Sequence, residues 1–385
     1  MTSFLTSPAD SMETLPPSLP LEPRGPVLAE GCEPVQFLTA GGELTATGRQ
    51  TDVSLSQAQG FYRDMVRARR LDEEALALQR QGELGLWLMS LGQEAAQVGS
   101  IRALEGRDYV FPTYREHAAA LCRGIGPTEL LVQWRGNQHC GWDPHDYRFH
   151  FYSLVLGTQT LHATGYAMGV QRDRAREVVM TYLGDGASSQ GDVSEALNWS
   201  AVMRAPVLFF CQNNQWATST PASAQSTSPL HHRAAGFGLD TYVVDGNDVL
   251  AVHAVTHAAA ERVRNGGGPS FIEAVTYRMA GHSTSDDPTR YRPHAEVEAW
   301  RQRDPIARLR TFLEGAGVEP DFFAGISKEA DHLASQVRAA CLSLEAPSLE
   351  QAFDTVYVEA HASLEAERAE FVAYTSTFLK EDFEE

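Results

Sequence analysis

The sequence is short of positive charge, poor in cysteine and without any long apolar run, and each shortage excludes a class of function. Its 31 Lys and Arg face 50 Asp and Glu, a net charge of −19. Non-specific binding to nucleic acid or to an anionic membrane needs a surplus of cations, so both are excluded as general modes. A small anion is not excluded, because one pocket can be locally positive. The five cysteines (Cys32, Cys122, Cys140, Cys211 and Cys341) are scattered, and none forms a C-x-x-C pair. That pattern speaks against a disulfide framework and for a reducing cytoplasm. No stretch of about 18 apolar residues is there to span a membrane. The N-terminus has no basic region followed by an apolar one, so no signal peptide is expected. The glycine-rich stretches are followed by no Lys-Ser/Thr, which excludes a P-loop, and they spell no G-x-G-x-x-G dinucleotide fingerprint.

What is present is enough apolar sequence to bury a core: 43% hydrophobic against 21% charged. At roughly 150 residues per domain the length allows two or three units, although a large α/β sheet can use it all. Seven of the 19 prolines fall between Pro8 and Pro34, so residues 1–50 read as a Pro-rich extended arm. From Ser54 the pattern turns helical, with Phe61, Met65, Ala68 and Ala75 on one face and an end near Gly82. A second helix is expected over Gln93–Leu104, a short apolar run over 109–114 and a loop over 136–150. Val178–Leu183 and Pro206–Cys211 are apolar as buried parallel strands should be, with a helix over Asp192–Met203 between them. Tyr242–Val244 and Phe271–Val275 are further strands around a helical His253–Asn265. The alternation predicts an α/β fold, a doubly wound, mainly parallel sheet over residues 51–345. A helical tail over 346–385 follows, ending in the charged run from Lys380 to Glu385.

The stretch from Gly184 to Asp192 (GDGASSQGD) lies between a predicted strand and a helix. Alone it is either a phosphate cradle at a helix start or a plain tight turn. The next strand ends in Asn213-Asn214-Gln215-Trp216. If the two strands are parallel neighbours, Asp185 and Asn214 meet at their carboxyl ends, where open α/β sheets bind ligands. A carboxylate, an amide oxygen and a backbone carbonyl form a hard oxygen set suited to Mg²⁺, which keeps water and phosphate oxygens as its other ligands. A buried Asp without compensation is costly, which a cation would relieve.

Gly184-Asp185-Gly186 followed about thirty residues on by Asn213-Asn214 resembles the thiamine diphosphate motif. Further strings match in order: Gln79–Gly82, Phe111–Arg115, Asn213–Ala217, Val244–Asp248 and Gly281–Pro288. On these the chain is similar, from about Ser54 onward, to alpha subunits of the two-chain thiamine-dependent 2-oxo acid dehydrogenases, and most to the bacterial branched-chain members. The resemblance implies the thiamine diphosphate-binding fold. It implies Asp185 and Asn214 as side-chain Mg²⁺ ligands, with the backbone carbonyl of Trp216. Tyr114 and Arg115 match the pair that holds the diphosphate, and a planar guanidinium suits a bidentate phosphate contact. Gly184, Gly186 and Ala187 would meet the cofactor through their backbone, as would Leu154 and Leu156. His282 matches the family's active-site histidine, expected as an imidazolium that donates to the diphosphate or substrate carboxylate and passes a proton.

Ser153, Thr158 and Gln159 fall where the family holds K⁺, but the chain reads Ser153-Leu154 where relatives usually have Ser-Pro, which counts against that site. Gln212 stands where animal relatives place an arginine, so one positive contact is lost. Ser283 matches a phosphorylated serine of eukaryotic relatives, and nothing here supports regulation there. His139, Cys140, His145 and His150 follow no standard zinc spacing and read as a polar loop.

The implied reaction is oxidative decarboxylation of 3-methyl-2-oxobutanoate and related 2-oxo acids, with the acyl group passed to lipoyl on an acyltransferase core. A beta subunit carrying the activating glutamate is implied, in an α2β2 assembly. A pyruvate dehydrogenase alpha subunit is the alternative within the family. A non-catalytic subunit that keeps the fold is the alternative outside it, and a nucleotide-binding phosphotransferase is disfavoured by the missing lysine.

Overall fold

Side chains of the central strands alternate between two apolar clusters, because successive residues of a strand point to opposite faces. Met180, Tyr182, Leu208, Phe210 and Ile272 enter one cluster; Val179, Leu183, Val207, Phe209 and Phe271 enter the other. Both faces are therefore covered, and near-continuous apolar strands follow from that. The computed structural model describes residues 33–378 apart from 346, 349, 350 and 355. In chain order the strands are β1 (Tyr109–Phe111), β2 (Val179–Gly184), β3 (Val207–Asn213), a small antiparallel hairpin of β4 (Trp216–Ala217) and β5 (Thr220–Pro221), then β6 (Asp240–Asp245) and β7 (Ser270–Val275). The sheet order is β1-β2-β3-β7-β6, all parallel. The α/β reading thus holds, and β2 and β3 are parallel neighbours with Gly184 opposite Gln212.

Helices Leu55–Arg80, Glu94–Arg102 and Val249–Arg264 supply one cluster; Thr158–Arg172, Gly191–Met203 and Leu230–Gly236 supply the other. Local chemistry starts the long ones. Ser54 and Gln57 form a reciprocal capping box at the first helix, and the Asp248 carboxylate caps Leu250 and Ala251. Helices Pro127–Arg135 and Thr158–Arg172 had no clear signal in the periodicity. Among the described residues no helix is long and apolar enough to cross a membrane.

The expected arm divides. Residues 1–32, with Cys32 and six of the arm's seven prolines, lie outside the described residues, as does the 379–385 end of the tail. Residues 33–50 are held against the body. Val35 bridges Val244 in parallel beside β6, and Phe37 and Leu38 donate their N–H groups to the other Asp248 oxygen at 2.7 and 2.6 Å. The Arg308 guanidinium donates to Thr39 O at 2.9 Å. Backbone groups on a sheet edge need partners whatever the proline content upstream.

Below the β1 loop lies a buried histidine. His117 stacks on Trp87 at 4.0 Å. Its Nε2 is 3.1 Å from Leu88 O and its Nδ1 2.8 Å from the Tyr152 hydroxyl. A carbonyl only accepts, so Nε2 carries the proton and Nδ1 accepts from Tyr152. Burial pushes its pKa down to about 3. The unfolded chain therefore binds a proton near pH 6.5 that the folded chain refuses, and stability is full above that value and lost as pH falls toward 3. We expect wild type to lose about 1.4 kcal/mol per pH unit from this group below pH 6.5. Urea unfolding at pH 7.5 and 5 should show a shallower decline for His117→Phe; equal declines would exclude His117 as the source.

Candidate active site

The loops after β1, β2, β3 and β7 line a cleft at the carboxyl ends of the strands, the position at which open α/β sheets take ligands. Tyr114 and Arg115 come from the first loop, Gly184–Ala187 from the second, Gln212, Asn214 and Trp216 from the third, and Arg278 and His282 from the fourth. Leu156 closes one side. The structure thus gathers most of the residues singled out in the sequence.

Asp185 is buried. Its Oδ2 accepts from Gln225 Nε2 at 3.1 Å, and its Oδ1 lies 3.3 Å from the amide terminus of Asn214. That same terminus is 3.2 Å from Trp216 O. Turned with nitrogen inward, the Asn214 amide donates to both oxygens. Turned with oxygen inward, three oxygens face one point, and only a cation there relieves their repulsion. The donor set thus fits a hard divalent cation. Burial raises the Asp185 pKa to about 6, more than Gln225 and Arg278 offset. The turn that aims this set is tightly held: Gln215 sits at φ 72°, an uncommon region for a side-chain-bearing residue, and its Nε2 donates to Thr276 O at 2.8 Å.

Two buried arginines flank the histidine. Arg115 donates to Met89 O at 2.6 Å and to His282 O at 2.9 Å. Arg278 donates to Trp216 O at 2.8 Å and Thr218 O at 2.7 Å, and its Nε is buried without a partner. Their guanidiniums lie 3.5 and 3.4 Å from His282 Nδ1. Arginine only donates, so Nδ1 accepts and Nε2 carries the proton. Burial first, then both arginines, push the His282 pKa down to about 4, against which Asp286 acts weakly. The surroundings thus favour the neutral ring over the imidazolium that the resemblance implies, first through burial and then through the two guanidiniums. Its loop is fixed at both ends, by His282 N–H to Asp286 Oδ2 at 2.6 Å and by Thr284, whose Oγ1 and N–H bond the Trp87 backbone at 3.1 and 3.0 Å.

Not every residue converges. Leu154 is 52% exposed and outside the cleft lining. The Ser153 hydroxyl donates to Val155 O at 3.2 Å, Thr158 opens its helix, and Gln159 donates to Tyr182 O at 2.9 Å while its Oε1 is buried without a partner. In the 136–150 loop Trp142 donates to Phe149 O at 2.8 Å and Cys140 to Trp142 O at 3.2 Å. Among the described residues no three His, Cys, Asp or Glu side chains gather as a metal site. Sequence reasoning missed Arg278, Gln93 and Glu116, all on the cleft wall. An arginine three residues past a strand end and four before His282 was the one signal for Arg278.

The family model described as Dehydrogenase E1 component matches residues 62–341. A 3-methyl-2-oxobutanoate dehydrogenase subunit alpha from Mycobacterium tuberculosis is 44% identical over 354 residues, 91% of this chain and 96% of its own. A mitochondrial 2-oxoisovalerate dehydrogenase subunit alpha 2 from Arabidopsis thaliana is 37% identical, over 84% of this chain and 71% of its own. A pyruvate dehydrogenase E1 component subunit alpha from Bacillus cereus is 36% identical, over 76% of this chain and 79% of its own.

Proposed function

The chain belongs to the dehydrogenase E1 component family, and from that premise we propose that it is the alpha subunit of a branched-chain 2-oxo acid dehydrogenase acting on 3-methyl-2-oxobutanoate. The observation that carries the substrate class is the 44% identity to a 3-methyl-2-oxobutanoate dehydrogenase alpha subunit across 91% of the chain, against 36% over 76% for a pyruvate enzyme. Family membership implies dependence on thiamine diphosphate and a beta subunit as partner. We assign the assembly as α2β2, cytoplasmic, and delivering its acyl product to lipoyl on an acyltransferase core.

Bound thiamine diphosphate supplies the electron sink for the bond that releases CO₂. The chain's own residues bind and orient. Asp185 Oδ1, the Asn214 amide oxygen and Trp216 O would hold Mg²⁺; Arg278, already on Trp216 O, fixes that carbonyl while leaving its second lone pair free. Arg115 and Tyr114 receive the diphosphate, and Gly186 and Ala187 open a helical turn whose first N–H groups have no partner within it. Leu154 and Leu156 remain candidates for backbone contact with the cofactor. The partnerless Gln159 oxygen is the one feature of the Ser153, Thr158 and Gln159 group that suits K⁺. His282 donates from Nε2 to a diphosphate or substrate oxygen. An anion there would offset the two guanidiniums and favour the protonated ring, which could then donate a proton.

The reading is tested by steady-state kinetics of the α/β assembly. One methylene in an apolar pocket is worth about 1–3 kcal/mol, so kcat/KM for 3-methyl-2-oxobutanoate should exceed that for pyruvate by about ten-fold or more. A preference for pyruvate would move the chain to the alternative substrate. Absence of any thiamine-dependent decarboxylation would favour a subunit that kept only the fold.

A further inference from the structure

The wall of the cleft contains a buried carboxylate that touches neither metal set nor histidine. Glu116 is 1% exposed. Its Oε2 accepts from Thr113 N–H at 2.5 Å and from the Thr113 hydroxyl at 2.6 Å; its Oε1 accepts from Gln212 Nε2 at 2.6 Å. Gln212 Oε1 in turn accepts from Gln97 Nε2 at 3.3 Å, which also donates to Arg115 O at 3.0 Å. Gln97 Oε1 accepts from the Ala118 N–H at 3.1 Å.

The direction of this chain is forced. A backbone N–H can only donate, so Ala118 sets Gln97, Gln97 sets Gln212, and Gln212 presents its NH₂ to Glu116. At the other end Thr113 N–H also donates. Glu116 is therefore met by donors on both oxygens, and only an acceptor at both ends completes the circuit. The turn that it closes runs from Thr113 to Glu116, with Tyr114 and Arg115 at its tip. Through Gln212 the turn is tied to β3, and through Gln97 to the Glu94–Arg102 helix. Glu116 carries the tie to β3, while Gln97 also bonds Arg115 O and the Ala118 N–H directly.

We propose that Glu116 is a positioning residue: it latches the Thr113–Glu116 turn to β3 and so holds Tyr114 and Arg115 where they receive the cofactor's diphosphate. This rests on the thiamine diphosphate reading above. The latch has a distinctive logic. Glu116→Gln keeps the shape, yet its NH₂ must face either Thr113 N–H or the Gln212 NH₂, and neither can turn without moving the mismatch to Ala118. The exchange Glu116→Gln with Gln212→Glu restores every bond: Gln at 116 accepts from Thr113 and donates to Glu at 212, which accepts from Gln97.

The test uses the α/β assembly and titrates thiamine diphosphate with Mg²⁺, reading tryptophan fluorescence, together with kcat at saturating cofactor. Glu116→Gln is expected to raise the cofactor Kd by about 10- to 100-fold, by analogy with outer-shell partners that orient metal ligands, with kcat at saturation changed less than about three-fold. The double exchange is expected to return Kd to within about three-fold of wild type, because coupled partners are non-additive. Thr113→Val, which keeps the shape but removes one donor to Glu116 and the acceptor of the Arg115 N–H, should raise Kd several-fold and serves if Glu116→Gln does not fold. An unchanged Kd in Glu116→Gln, or a double exchange no tighter than the single one, overturns the latch. A wild-type assembly that binds no thiamine diphosphate instead overturns the cofactor reading, and the latch falls with it.

Discussion

Replacing Asp185 by alanine is expected to abolish Mg²⁺-dependent binding of thiamine diphosphate, raising Kd beyond the 10- to 100-fold typical of outer-shell changes at metal sites. The reason is that Asp185 is the one carboxylate of the oxygen set: Asn214 and Trp216 contribute neutral oxygens 3.2 Å apart. Two neutral oxygens alone would hold a divalent cation only weakly. Titration of the α/β assembly at several Mg²⁺ concentrations measures the effect. The variant should show no Mg²⁺ dependence at all. Its fold should survive, since the substitution removes a buried carboxylate whose burial is unfavourable in the metal-free chain. Mg²⁺-dependent binding as tight as wild type would remove Asp185 from the metal site.

His282→Ala is expected to lower kcat by about 10²- to 10⁴-fold, the usual contribution of a positioned acid–base group, while cofactor affinity changes far less. Arg115 and Arg278 supply the fixed positive charge of the cleft, so binding of an anion does not depend on the ring. Of the ring and the two guanidiniums beside it, only the ring can change its charge, because guanidiniums stay protonated. Its Nδ1 is turned to the arginines and its Nε2 is left to act. Comparing kcat with cofactor Kd separates the two roles. A variant that loses cofactor affinity but keeps kcat at saturation would make His282 a binding group only.

Much of the fold was legible because a parallel sheet buried on both faces leaves a strong signature. Val178–Leu183 and Pro206–Cys211 announce themselves as continuous apolar runs, and their observed bounds, Val179–Gly184 and Val207–Asn213, differ by one or two residues. The Thr158–Arg172 helix was not legible: its interior holds Gly165 and Gly169 and polar Thr160 and Thr164, so no apolar stripe stands out. Residues 33–50 read as part of the arm because proline dominates the segment before them. Their attachment depends on Asp248 and Arg308, more than 200 residues away, which no local pattern can register.

At the cleft the division is sharper. Asp185, Asn214, Arg115 and His282 stood out because their motifs are short and each residue type suits one task. That these side chains share one cleft follows from strand order, and the sequence supports this only through a βαβ argument. What the sequence determined by itself was the set of chemical groups and the layered α/β class, since both follow from residue identity and period. What only the tertiary structure decided was their electrical state and their support. His282 is pushed toward the neutral ring first by burial and then by Arg115 and Arg278, which are 163 positions apart in the chain and meet at its Nδ1. Glu116 is an acceptor at both ends because Ala118, Gln97 and Gln212 converge from three elements. Charge and hydrogen-bond direction are properties of neighbours in space, and they come into being only when the chain is folded.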